Sequence, residues 1–145
     1  MNPSMPTPAS PDAVEQAFYE AMQQGRLDAL MACWIDEEDP VCVHPGGPRL
    51  VGLGAIAESF GAMFEHGAIA VQAERVHQAL FQGVAVHSVL ETVTLATDDG
   101  VLAARILATN VYVLTAAGWK MAVHHASPAP TAEVAQAPAG KRTLH

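Results

Sequence analysis

The hydrophobic period of this chain changes once, close to residue 68, and that change limits the fold more than any other feature. Three earlier segments share helical spacing of their apolar residues: 11–24, 27–34 and 52–65. Four later segments share strand-like alternation or β-branched side chains: 69–80, 84–96, 101–114 and 118–127. Short turns between them favour antiparallel hairpins. The order predicts an α+β fold with three helices packed on one face of a sheet.

Local signals place the ends of these elements. Ser10, Pro11 and Asp12 supply an N-cap hydroxyl, a proline at the first helical position and an acid in the first turn, and Gly25 ends the same helix. Residues 41–44 are predicted to form a short strand that a proline- and glycine-rich turn terminates.

The chain of 145 residues fits one domain. We expect a flexible leader over 1–10, a single domain over 11–128 and a flexible tail over 129–145, because both ends are rich in Pro, Ala, Ser or Thr and lack periodicity. The start of the sequence does not resemble a signal peptide, and the chain has no apolar run long enough for a membrane helix. We therefore expect a cytoplasmic protein with no membrane partner.

Composition narrows the functional classes. Half of the residues are hydrophobic and only 15% are charged, so some apolar surface is expected in a subunit interface or a cavity. A net charge of -8, with seven Lys and Arg scattered singly, argues against nucleic-acid binding. Cys33 and Cys42 lie in segments predicted to be buried and are expected to act as small hydrophobic residues.

The last predicted strand carries two adjacent histidines, which must point to opposite faces of a regular strand. Lys120 is the residue least suited to burial, so its face, which includes His124, is expected to point outward. The opposite face would then point inward: Trp119, Met121, Val123, His125 and Ser127. His125 is thus the predicted pocket residue, and His124 is predicted to lie on the outer surface.

Several motifs resemble the nuclear-transport-factor-2-like superfamily, and specifically its SnoaL-like, ketosteroid-isomerase-like branch. The resemblance covers residues 12–128. It rests on the opening helix and on four further segments: Val43-His44-Pro45, Leu50-Val51-Gly52, Ala108-Thr109-Asn110-Val111-Tyr112 and the stretch from Trp119 to Ser127. The closing segment is also similar to the end of the calcium/calmodulin-dependent kinase II association domain. The resemblance implies a cystatin-like cone, in which a strongly curved, mostly antiparallel mixed sheet wraps around the helices and leaves one open-ended pocket. It also implies a homodimer through the outer face of the sheet.

This resemblance places Asn110 inside the cone, because the matching position in the kinase domain lines the pocket. Strand 84–96 has two plausible inner faces, one carrying His87 and Glu91 and the other carrying Ser88 and Leu90. A carboxylate such as Glu91 in an apolar cone would have its charged form disfavoured, and could act as a base or orient a histidine. His44 stands at the end of a short strand, where functional side chains are often found, although that position can be purely structural.

We therefore hypothesise an acid-base site of His44, Glu91 and His125, with Asn110 donating to a developing oxyanion. Aromatic and polar side chains are expected to line the cavity: Tyr19, Trp34, Phe60, Phe64, Tyr112, Trp119 and Ser127. The expected ligand is a small hydrophobic carbonyl compound, handled by an isomerase, dehydratase or cyclase without cofactor or metal. Each histidine could equally be a structural residue with a local hydrogen-bond partner. The alternative function is a non-catalytic ligand-binding or dimerisation domain that uses outward residues such as Val111, Val113 and Ala122.

Overall fold

The structure is a computed structural model and describes residues 10–36 and 39–130. Three helices and six strands follow the chain in the order α1 Pro11–Gln24, α2 Leu27–Met31, β1 Val41–Val43, β2 Arg49–Val51, α3 Leu53–Phe64, β3 Val71–Phe81, β4 Val84–Thr97, β5 Gly100–Thr115 and β6 Gly118–Pro128. The predicted leader over 1–10, except Ser10, lies outside the described residues. The predicted tail over 129–145 is described only at residues 129 and 130.

Helix α1 begins and ends where its sequence predicts. The Oγ atom of Ser10 accepts a hydrogen bond from the Ala13 amide at 3.1 Å, and Pro11 is the first helical residue. Gly25 follows the helix with φ 67°, the left-handed conformation that glycine adopts without steric cost. Helix α2 is shorter than predicted and ends at Met31, so Trp34 lies beyond it and forms an isolated parallel bridge with Met121.

The six strands form one sheet in the order β2-β1-β6-β5-β4-β3. Strands β1 and β6 run parallel, and every other neighbouring pair is antiparallel. The α+β class and the mostly antiparallel mixed sheet are therefore confirmed. Strand β2 was not predicted as a strand, because three residues are too few to show alternation.

One side of the sheet packs against the helices and holds the core. On β4 this inner face carries Ala85, His87, Val89 and Glu91, all at most 5% exposed, which decides between the two faces left open by the sequence. Leu90, on the opposite face of β4, is also buried, at 4% exposed. The fully buried part of the core comes from all three helices and from strands β1, β3, β4, β5 and β6, and its larger members are Val14, Phe18, Leu30, Ile56, Phe60, Val71, Tyr112 and Met121.

Strand β6 does not alternate regularly. Val111 of β5 pairs with Val123, whereas the next residue, Tyr112, pairs with Met121, so Ala122 is an extra residue in β6. Such a β-bulge reverses which residues face inward beyond it. Met121 is therefore buried before the bulge, and His124 is buried after it.

Strands β4 and β5 continue beyond their neighbours as a two-stranded ribbon. The β3 pairing of β4 ends at Val93 and the β6 pairing of β5 ends at Ile106, while the β4–β5 ladder runs on to Thr97 and Gly100. Large apolar side chains are exposed there: Leu95, Val101 and Leu102.

Among the described residues, no helix combines the length and the apolar character needed to cross a membrane.

Candidate functional site

Four buried polar side chains from α1, β4, β5 and β6 form a connected group, which we name the inner cluster: Tyr19, Glu91, Asn110 and His124. Each is at most 5% exposed. The hydroxyl of Tyr19 donates to Oε2 of Glu91 at 2.6 Å and accepts from Nδ2 of Asn110 at 3.1 Å. Nδ1 of His124 lies 2.6 Å from Oδ1 of Asn110, and its Nε2 lies 3.9 Å from Oε2 of Glu91. The four side chains thus form a ring that is open only between His124 and Glu91.

A second group surrounds Glu15 of α1, which is 6% exposed. Its Oε2 atom lies 2.9 Å from Nδ1 of His87 and accepts from the Tyr112 hydroxyl at 2.9 Å. Its Oε1 atom accepts from Nε of Arg75 at 3.0 Å. Asn110 joins the two groups, because its Nδ2 also lies 3.4 Å from Oε2 of Glu15.

The pKa values of these groups are shifted in different directions. Burial alone would raise the pKa of Glu15, but hydrogen bonds from His87, Tyr112 and Arg75 and the charge of His87 outweigh it, so this pKa is lowered. Burial raises the pKa of Glu91, and the hydrogen bond from Tyr19 opposes the shift only in part. Burial, with smaller effects of His44 and His125, lowers the pKa of His124 to about 3. At neutral pH the site therefore combines an ionised Glu15 with a neutral His124.

His44 stands apart from the inner cluster. Its ring packs edge-on against Phe60 with centroids 4.9 Å apart, and its Nε2 lies 3.8 Å from Sγ of Cys42. Burial lowers the pKa of the half-buried His44. Burial raises the pKa of Cys42 to about 12, with a further contribution from Glu91, so Cys42 is a protonated thiol at neutral pH.

A groove of about 510 Å³ between α1 and β3 reaches both groups. Its lining is polar: Asp12, Glu15, Gln16, Tyr19, Glu20, Gln23, Gln72, Ala73 and Arg75. Three contacts bridge α1 and β3 along it: Nε2 of Gln23 donates to the Val71 carbonyl at 2.8 Å, and Arg75 pairs with Glu15 and, at 3.4 Å, with Asp12. Between these contacts lies Ala73, which pairs with Glu91 in the sheet and therefore shares its face. The Tyr19 hydroxyl thus links the groove to Glu91.

The structure brings together only part of the predicted site. Glu91 and Asn110 lie in one cluster with Tyr19, whereas Tyr112 bonds to Glu15. The other residues predicted to line a cavity are core or surface residues. Trp34 and Phe60 are buried in the core, Phe64 and Trp119 pack at its edge, and Ser127 is exposed. Trp34 also lines a smaller cavity of about 290 Å³.

The predicted orientation of the two adjacent histidines is wrong. His125 is exposed, and His124 is 3% exposed and belongs to the inner cluster. The bulge at Ala122 is the physical reason, since strict alternation from Lys120 holds only up to that residue. Trp119 and Met121 precede the bulge and point to the side that was predicted.

Sequence reasoning also missed Glu15 and did not decide for His87. Glu15 is three and four residues before Phe18 and Tyr19, so it lies on the buried stripe of α1, and this spacing is visible in the sequence. His87 stood on one of the two alternative faces of β4. In the described part of the chain, no group of three or more His, Cys, Asp or Glu residues is arranged to hold a metal ion.

Comparison with known proteins identifies the fold family. The SnoaL-like domain family matches residues 12–132. The chain belongs to this family. The resemblance predicted from the sequence motifs is thereby confirmed, and no functionally curated protein matches the sequence.

Solved structures similar to this SnoaL-like protein carry different functional names. A proposed calcium/calmodulin-dependent protein kinase type II association domain from Thiobacillus denitrificans ATCC 25259 is 36% identical, with a TM-score of 0.77, and the match covers 87% of this chain and 100% of that one. A proposed NTF2-like dehydratase from Streptomyces avermitilis is 29% identical, with a TM-score of 0.72 and coverage of 81% and 93%. A ketosteroid isomerase-like protein from Erwinia carotovora atroseptica SCRI1043 is 22% identical, with a TM-score of 0.71 and coverage of 82% and 94%, and supports the fold alone.

Proposed function

We propose that this SnoaL-like protein binds a small carbonyl compound and acts on it by acid-base chemistry through the inner cluster. The observation that carries the proposal is the buried ring of Tyr19, Glu91, Asn110 and His124, with Tyr19 shared between the ring and the groove. Buried titratable groups with shifted pKa values beside a cleft are typical of functional sites. The groove would be the opening of the pocket that the family resemblance implies.

In the proposed reaction Glu91 is the base. Its carboxylate accepts a proton from the carbon next to the substrate carbonyl, and its raised pKa brings it nearer to neutral pH, where general bases work best. Tyr19 lines the groove, and its hydroxyl, which donates its one hydrogen to Glu91 in the free protein, turns to a substrate oxygen that gains negative charge once Glu91 has taken up the proton. Isomerisation and dehydration both begin with such a proton transfer.

The polar lining changes the expected substrate. The sequence suggested a hydrophobic compound, but the groove presents carboxylates, glutamine amides and one guanidinium. Polar groups in a pocket fix the orientation of a ligand through hydrogen bonds. We therefore propose a carbonyl compound that also carries hydroxyl or amino groups.

The reaction can be tested without knowing the natural substrate. Carbonyl compounds with and without hydroxyl or amino groups are dissolved in D₂O with the protein, and proton NMR follows exchange of the hydrogen next to the carbonyl. We expect Glu91→Gln to lower the exchange rate by about 100-fold or more, the usual effect of losing a general base. If no compound exchanges faster than with buffer alone, the proposed chemistry is wrong.

A matched pair of variants tests the groove. Ala73→Leu places a larger side chain opposite Glu91, where Ala73 lines the groove, while Ala103→Leu makes the same change on the exposed β4–β5 ribbon. We expect ligand-observed NMR to show binding to the native protein and to Ala103→Leu, and binding at least tenfold weaker to Ala73→Leu. Equal binding to both variants would contradict the groove as the ligand site.

A second candidate function is a non-catalytic association domain, which the 36% identity to a proposed association domain favours. The exposed Leu95, Val101 and Leu102 of the ribbon are further apolar surface that a partner could cover. In this proposal the protein forms a homodimer through the outer sheet face, which carries the half-buried Val111 and Val113. Light scattering at micromolar concentration tests it, since a monomer would exclude a stable dimer.

A further inference from the structure

The orientation of the Asn110 side-chain amide determines which groups of the inner cluster donate and which accept hydrogen bonds. Its Oδ1 faces His124 at 2.6 Å, and its Nδ2 faces both Tyr19 at 3.1 Å and Glu15 at 3.4 Å. The Tyr19 hydroxyl accepts from Nδ2 while its one hydrogen is donated to Glu91, but it can donate to Oδ1 instead once Glu91 is protonated. An ionised Glu15 can only accept, so it tolerates only Nδ2.

The amide orientation in turn fixes the proton on His124. An amide oxygen has no hydrogen to give, so the 2.6 Å contact requires that Nδ1 of His124 carries the proton. Nε2 of the neutral ring is then bare, and this atom lies 3.9 Å from Oε2 of Glu91. A hydrogen on Nε2 would interact only weakly with Glu91 at 3.9 Å, so the much shorter contact between Nδ1 and Asn110 decides the tautomer.

We propose that Glu15 is a positioning residue for the inner cluster, which acts through Asn110 to hold His124 in its Nδ1–H tautomer and to leave Nε2 bare toward Glu91. The inference deepens the proposed function and rests on it for the catalytic value of Nε2, which can accept a proton from Glu91. The tautomer itself is a property of the free protein and can be measured without any ligand.

Glu15 is suited to this role because it is buried and still charged. It is 6% exposed, and donors from His87, Tyr112 and Arg75 hold the carboxylate. These donors come from β3, β4 and β5, so three strands keep its position relative to Asn110. A charged acceptor makes stronger hydrogen bonds than a neutral one, which compensates for the long 3.4 Å contact.

Nitrogen-15 NMR of the free protein tests the proposal, because long-range couplings in the ring show which histidine nitrogen carries hydrogen. The His124→Gln variant assigns the signals. We expect the Nδ1–H form in the native protein and in Glu20→Gln, an exposed glutamate of the same helix. In Glu15→Gln, whose side chain can donate or accept, the Nε2–H form should appear, and Glu15→Asp should return part of the Nδ1–H signal.

Two results would overturn the proposal: an Nε2–H tautomer in the native protein, or an unchanged tautomer in folded Glu15→Gln. Tyr19→Phe gives an independent test should Glu15→Gln not fold. It is expected to keep the Nδ1–H form, and a switch in that variant would assign the orientation of Asn110 to Tyr19 instead. A tautomer switch without any catalysed exchange of carbonyl compounds would support Glu15 and reject the proposed reaction, so the two failures are distinguishable.

Discussion

The hydroxyl of Tyr19 donates a 2.6 Å hydrogen bond to Glu91, a residue 72 positions further along the chain. This bond joins helix α1 to strand β4 and places one end of a buried polar network on the wall of the groove. The low dielectric inside a protein strengthens each hydrogen bond of a buried polar network. It also raises the free-energy cost of a polar group that is left without a partner, so a partly satisfied network is destabilising. The stability of this fold and the chemistry of its site therefore depend on the same side chains.

Tyr19→Phe is expected to destabilise the fold by about 1–3 kcal/mol, because Glu91 and Asn110 each lose a buried partner. It should also raise the pKa of Glu91 further, since the bond from Tyr19 lowers it. A carboxyl group whose pKa is raised in the folded state lowers the free energy of unfolding as pH rises from its unfolded-state pKa to its folded-state pKa. The higher pKa of Glu91 should therefore extend this fall to higher pH in Tyr19→Phe. Urea unfolding at a series of pH values measures both effects.

Tyr112→Phe is the matched control for this measurement. Tyr112 donates to Glu15, whose lowered pKa stabilises the folded state above the ordinary glutamate range and loses that contribution on acidification. Removing the donor should therefore reduce the loss on acidification and leave the pH-dependent loss that comes from Glu91 as in the native protein. The same pH profile in both variants would contradict the separate assignment of the two tyrosines.

His124 should make the protein sensitive to mild acid. Its folded-state pKa of about 3 lies below the ordinary value of 6.5, so the unfolded chain binds the proton more tightly. The contribution of His124 to folded-state stability is complete above pH 6.5 and is lost as pH falls toward 3, and each pKa unit between these two values corresponds to about 1.4 kcal/mol. We expect His124→Gln to flatten the unfolding free energy between these pH values.

The neighbouring histidine provides the control for this prediction. His125 is exposed and contributes less than burial to the lowered pKa of His124, so His125→Gln should keep most of the acid sensitivity of the native protein. Unfolding of both variants is compared at pH values from neutral to mildly acidic. Equal slopes for the two variants would show that burial of His124 does not set the pH dependence.

Much of the fold was predictable, because regular periodicity extends over most elements. The start of α1 at Pro11, the hairpin order of the strands and the inner placement of Asn110 follow from capping, turn residues and the family motifs. The histidine assignment failed at a single residue. Counting faces along β6 assumes a regular ladder, and the segment Met121-Ala122-Val123 has no glycine or proline to mark the extra residue.

The polar network was less predictable than the core. Glu15 occupies the buried stripe of α1, but a glutamate among apolar residues is read as exposed unless its partners are known. Those partners, Arg75, His87 and Tyr112, lie on three other elements, 60 to 97 positions away. Only the assembled sheet brings them to one carboxylate, so no local pattern could have identified the set.

The two cysteines should be unreactive in the folded protein. Burial raises the pKa of Cys33 to about 11 and of Cys42 to about 12, so almost no thiolate is present near neutral pH. A colorimetric thiol reagent should label neither residue in the native protein and both in denaturant. Rapid labelling of either thiol under native conditions would show that β1 or the segment after α2 opens readily.

Phe18 is expected to be the most damaging core position to truncate among the aromatic residues near the inner cluster. Its ring contacts four others edge-on or tilted, with centroids 5.1 Å from Tyr19, 6.2 Å from Trp34, 6.1 Å from Phe60 and 5.1 Å from His124. Phe18→Ala should cost about 3–5 kcal/mol through the cavity it leaves.

Phe81→Ala is the control, because this side chain is 61% exposed at the β3–β4 turn and its loss should change stability by no more than about 0.5 kcal/mol.

Phe18→Ala also tests whether packing or hydrogen bonding sets the tautomer of His124. Removal of the Phe18 ring takes away packing from the His124 ring without touching a hydrogen bond, so the Nδ1–H tautomer should survive in any folded fraction. Urea unfolding and histidine NMR on the same sample measure both properties. A small loss of stability would contradict the predicted contribution of Phe18 to the core, and a change of tautomer without unfolding would mean that packing rather than Asn110 holds the ring.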